Sequence, residues 1–128
     1  MNGAAEYLAS IKARIVAHPH VVRWTVVREE PQGDQGLFRY RLTLRGGDLC
    51  ELFERFQVVA GSIRVSKYAF HWQDAAGQLR KRWDNAAHHP EISTHPHHLH
   101  DGAEANVQSH GPISAEDVLT LIASAAEG

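Results

Sequence analysis

Between residues 21 and 84 the chain repeats one pattern: a β-branched and aromatic stretch, a short glycine-bearing turn, then another stretch. Residues 21–29, 37–44, 49–59, 63–73 and 78–84 read as five strands. In the second, Phe38, Tyr40, Leu42 and Leu44 alternate with Arg39, Arg41 and Thr43, so one face is apolar and the other polar. The links, at 31–36, 46–48, 60–62 and 74–77, carry glycine with aspartate, serine or proline and are too short for a crossover. Consecutive strands must therefore pair antiparallel, as a meander. A helix is expected over residues 1–18, where Tyr7, Leu8, Ile11, Ile15 and Val16 recur at helical spacing before Pro19. Another is expected over 114–126, capped by Ser114, with Glu116 and Asp117 in its first turn and Val118, Leu119, Leu121 and Ile122 on its apolar face. The expectation is a single α+β domain over 1–128: a five-stranded antiparallel sheet at 21–84, an irregular loop at 85–112, and both helices packed on one face of the sheet.

At 128 residues one core is affordable. No apolar run approaches the roughly 20 residues of a membrane span, and no basic region followed by an apolar stretch opens the chain, so a cytoplasmic protein without a signal peptide is expected. The single Cys50 excludes an internal disulfide and, in its apolar setting, reads as a buried thiol. A formal charge of −2 gives no global argument for a nucleic-acid partner.

Charged residues inside strands are the next signal. Glu54 shares a face with Cys50, Leu52, Phe56 and Val58, and a carboxylate there must be paired or serve chemistry. Arg39, Arg41, Lys67, Arg80 and Arg82 also lie in strands. Aligned on one face they make a local patch for a phosphate backbone; paired with Glu51 and Asp84 they make an ordinary solvated face. Register decides, and register is not written in the sequence. Tyr68, Phe70 and Trp72 share one side of the fourth strand; such rings beside guanidinium groups suit base stacking or core packing, and Phe70 and Trp72 read as core, which turns His71 to the other side as the preferred single catalytic histidine.

Residues 88–100 hold six histidines: His88, His89, His95, His97, His98 and His100. Pro90 and Pro96 argue against a regular element. Two chemistries suit the cluster. In the first, one neutral imidazole deprotonates a ribose 2′-hydroxyl, a second protonates the leaving oxygen, and an arginine stabilises the charge on phosphorus. His71 with one of His97, His98 or His100 would be base and acid. Arg82 with Arg39 or Arg41 would hold the phosphate, supported by Arg80 and Lys67, and Asp84 or Glu91 would orient a ring. In the second, His88, His89, His95 and His98 with Glu91 bind zinc, manganese or nickel, although the spacing matches no strong metal signature. A third reading is a protein-binding module without chemistry.

The strings Phe70-His71-Trp72-Gln73-Asp74, Arg82-Trp83-Asp84-Asn85-Ala86, His88-His89-Pro90-Glu91 and His95-Pro96-His97-His98, ending in His100-Asp101-Gly102, resemble the TumE family. The likeness runs from the first helix to the start of the last. These are small prokaryotic proteins regarded as toxins of toxin–antitoxin pairs. The resemblance implies a cytoplasmic toxin acting as an endoribonuclease on RNA, with a DNA-binding antitoxin as partner; a homodimer stays open. It carries over no catalytic residue set, so the site residues above rest on chemistry alone.

Overall fold

The computed structural model describes residues 3–127, with side chains to residue 125. Its elements run α1 (Ala4–Ala17), β1 (Val21–Gln32), β2 (Gln35–Leu44), a 3₁₀ turn at Arg45–Gly47, β3 (Leu49–Val59), β4 (Ser62–Gln73), β5 (Leu79–Asp84), β6 (His98–Asp101), β7 (Val107–Ser109) and α2 (Ala115–Glu127). The α+β meander is as expected, but the sheet has seven strands in the order β1 to β7. The two additional strands come from the segment expected to be irregular throughout. Leu99 explains β6: it alternates with His98 and His100, and it enters the core opposite Trp83.

The helix-facing side of the sheet is built in rows across the strands. Tyr40, Leu52, Phe70, Trp83 and Leu99 are cross-strand partners in succession, and all are buried. Tyr7, Leu8, Ile11 and Ile15 of α1 and Val118, Leu119 and Ile122 of α2 complete the same core. Two close features fix the frame. The β3–β4 turn places Ala60 at φ 52° and Gly61 at φ 79°, left-handed values that suit the twist of a two-residue hairpin. At Gly36 a Cβ would lie 2.9 Å from Phe56 and 3.2 Å from the Ala4 Cβ, so the start of α1 sits where no side chain fits.

Glu54 belongs to this side and is fully buried. It accepts the Tyr7 hydroxyl at 2.5 Å and the backbone N–H of Ala115 at 2.8 Å. One carboxyl thus ties the sheet to α1 and to the first turn of α2, where the helix leaves N–H groups unpaired. Ser114 caps the same turn: its Oγ accepts from the Asp117 N–H, and Asp117 accepts from the Ser114 N–H. Cys50 is buried, and loss of hydration pushes its thiol up to about 12.

Candidate functional site on the open sheet face

The other side of β2 to β6 carries no helix. Register places Arg41, Glu51, His71, Arg82 and His100 in one row across five strands. The adjacent row is Arg39, Phe53, Ala69, Asp84 and His98. Adjacent members of a row, ten to twenty positions apart in the chain, are thereby about 5 Å from strand to strand. A cavity of about 380 Å³ opens over this face, lined by Arg41, Glu51, His71, Gln73 and Arg82.

The arginines are partly neutralised. Glu51 receives Arg39 at 2.5 Å and Arg41 at 3.1 Å. Burial alone would raise the Glu51 carboxyl, but hydrogen bonds from both guanidinium groups outweigh it and hold it below the usual range. Arg82 donates to Asp84 at 3.1 Å. The Arg39 guanidinium stacks on the Phe53 ring, 4.6 Å from its centroid. Arg55 and Lys67 are direct cross-strand neighbours, two like charges on one exposed stretch.

Two expected phosphate ligands separate here. Lys67 stays on the open side, exposed. Arg80 does not align with Arg82, because the β4–β5 ladder has a register shift at Trp72/Gln73 that leaves Arg80 outside the pairing. Its guanidinium instead binds Asp48 at 2.6 Å and lies over the Trp72 ring, beside Ile122 of α2.

Asp84 organises the opposite end of the row. It is buried, and its Oδ1 lies 3.0 Å from His98 Nε2, while Oδ2 lies 3.7 Å from His100 Nε2. The Ala86 N–H donates to Oδ1 at 3.0 Å. The other nitrogens are also anchored: His98 Nδ1 lies 2.9 Å from the Pro96 carbonyl and His100 Nδ1 lies 2.8 Å from the Glu104 carbonyl. A carbonyl only accepts, so both Nδ1 atoms carry hydrogen and both Nε2 atoms turn toward Asp84. His89 comes over from the loop, half-buried, its Nδ1 3.3 Å from Glu91. The three rings of His89, His98 and His100 have centroids 4.9–5.8 Å apart and stand edge to face. One ring nitrogen from each lies within 4.8 Å of the others.

The remaining histidines stand apart from this group. His97 stacks on Tyr68 and shares a 2.8 Å hydrogen bond with its hydroxyl, which burial pushes up to about 12. His88 and His95 are exposed, and His95 Nδ1 meets the His89 carbonyl. His71 is half-buried, with Nε2 3.1 Å from Gln73 Oε1. The sequence reading grouped His88, His89, His95 and His98 with Glu91; the fold groups His89, His98 and His100 beside Asp84. The available signal was the alternation of His98, Leu99 and His100, which marks a strand with both rings on one side.

The TumE family model, described as Toxin TumE, matches residues 11–127, 117 of the 128 residues. The chain belongs to the TumE toxin family. Neither the curated proteins nor the solved structures contain a match to it. Membership of TumE makes this a toxin and implies an antitoxin partner. Among the described residues no helix is long and apolar enough to cross a membrane. The matched span includes every residue of the open-face rows.

Proposed function

We propose that this TumE toxin is an endoribonuclease whose active centre is the open sheet face. The observation that carries the reading is the row Arg41, Glu51, His71, Arg82 and His100, which sets an arginine between two histidines. The Cα atoms of His71 and His100 lie two strands apart, about 10 Å. That span accommodates a phosphodiester with an imidazole group on each side and Arg82 beneath it. His71 would take the ribose 2′-proton as the 2′-oxygen forms its bond to phosphorus. The bond from phosphorus to the 5′-oxygen breaks, and that oxygen takes a proton from a ring of the imidazole cluster in its doubly protonated form, the outermost ring being His89. Arg82 and Arg41 would hold the non-bridging oxygens as charge grows on them. Arg39 over Phe53, and the like-charged pair Arg55 and Lys67, support a path for the RNA backbone, since phosphate would relieve their repulsion.

A second reading has its own support. Convergence of three imidazoles beside Asp84 suits hydrolysis assisted by a divalent ion. In either reading the antitoxin would be a DNA-binding protein that covers this face. Val22, Val26 and Val27 are exposed along the free edge of β1 and would suit a homodimer.

The test is cleavage of a defined RNA by protein made without a polyhistidine tag, with and without EDTA, beside His71→Ala. The wild type should cut, and His71→Ala should be slower by about a hundred- to ten-thousand-fold, the range of one acid–base group. Equal rates for the two proteins would remove His71 from the chemistry. Intact RNA under both conditions would remove the ribonuclease reading.

A further inference from the structure

We infer that His89, His98 and His100, beside the buried Asp84, form a binding site for one divalent transition-metal ion. The argument starts with the tautomers. Nδ1 of each ring is engaged by an acceptor: the Glu91 carboxylate, the Pro96 carbonyl and the Glu104 carbonyl. Metal-binding histidines are oriented in this way, with the distal N–H held by a carboxylate or carbonyl and the free nitrogen turned to the ion. With Nδ1 so engaged, Nε2 is the nitrogen each ring has free for an ion, and one ring nitrogen from each residue lies within 4.8 Å of the others.

Asp84 sharpens the case. The lone pair of a neutral His98 Nε2 would face a carboxylate oxygen at 3.0 Å, and that of His100 another at 3.7 Å. Lone pairs directed at an anion repel it, so a positive charge belongs among these atoms. Arg82 and the Ala86 N–H also donate to this carboxylate and so hold it in place. Burial adds to this: His98 is 3% exposed, His100 8% and Asp84 6%, whereas His89 is the half-buried member, on the loop before β6. The site is therefore closed on the sheet side and approachable from the open face.

Three imidazoles suit zinc, nickel or iron(II) better than magnesium or calcium, which prefer oxygen ligands. Arg82 binds Asp84 and adjoins His71, so a phosphate held by Arg82 would lie beside the ion. With an ion bound, these three rings cannot also donate the leaving-group proton, so use of the ion in catalysis rests on the metal-assisted reading, whereas its binding rests on neither reading.

The experiment is titration of tag-free, EDTA-stripped full-length protein with zinc alone, followed by calorimetry and metal content after gel filtration. Cobalt(II) absorption serves as the second readout. One zinc per chain is expected, with a four-coordinate cobalt spectrum. His89→Ala, on the loop and tolerant of truncation, should weaken zinc binding at least tenfold. Asp84→Asn should change the cobalt spectrum, and His88→Ala, exposed beside the site, should match the wild type. Absence of stoichiometric zinc on the wild type would overturn the proposal. Equal affinity in the wild type and His89→Ala would also overturn it, by placing the ion on other histidines. Zinc binding without RNA cleavage would leave the site standing and remove the nuclease reading alone.

Discussion

Glu54 is the buried carboxyl on which both helices depend, and its replacement separates architecture from chemistry. Two donors converge on it, the Tyr7 hydroxyl and the Ala115 N–H. In Glu54→Leu both lose their acceptor in a site with no water access. An orphaned buried donor costs about 1–3 kcal/mol, so two cost about 2–6 kcal/mol, less the relief of no longer burying a carboxyl. In Glu54→Gln the amide oxygen can face the fixed Ala115 N–H while the Tyr7 hydroxyl turns to accept from the NH₂. Its cost should stay within about 2 kcal/mol. The pH dependence has a definite sign. Burial raises the Glu54 carboxyl above its ordinary value, opposed by the hydrogen bonds from Tyr7 and Ala115. A raised folded-state value gives a contribution fully present below the unfolded value near 4.3 and lost as pH rises through the folded value. Urea unfolding of wild type and Glu54→Gln should therefore differ most at the acid end and converge as pH rises above that range. A gap that widens with rising pH, or a Glu54→Leu variant as stable as the wild type, would refute the reasoning.

Other expectations follow from the same geometry. Cys50, buried and with its thiol pushed up to about 12, should resist a thiol reagent in native buffer and react only in denaturant. Glu51→Gln should free Arg39 and Arg41, tightening RNA binding and steepening its salt dependence in a filter-binding titration; unchanged affinity would show that these cations do not meet phosphate. Leu99→Ala should cost about 2–4 kcal/mol in urea unfolding, and should weaken zinc binding with it, because Leu99 seats β6 against Trp83.

Most of the fold was legible because the meander is local. Alternation in Phe38, Tyr40, Leu42 and Leu44, and glycine turns between strands, determine each pairing without distant information. The short β6 and β7 were not, since Leu99 is the only fully buried apolar residue in β6 and proline precedes the strand. Arg80 shows a further limit: alternation put it with Arg82, but a one-residue irregularity opposite Trp72 turned it to Asp48. A bulge leaves no mark in an arginine-rich stretch. The site was half legible. His71 opposite the aromatic face followed from period two, whereas the meeting of His89, His98 and His100 at Asp84 depends on where the loop returns. The acid role once open to Glu54 gives way to a plain one, a buried bond between sheet and helices.

If the open face of the sheet carries the chemistry and its helix side does not, two nearby arginines should answer differently. Arg82 and Arg80 differ by two positions yet stand on different sides, which makes them a matched pair. The decisive measurement is the rate of RNA cleavage by Arg82→Ala and Arg80→Ala against wild type, with folding checked by circular dichroism. A loss of about a hundredfold or more in Arg82→Ala, with Arg80→Ala near the wild-type rate, is the predicted result. Equal losses in both, or full activity in Arg82→Ala, would contradict it.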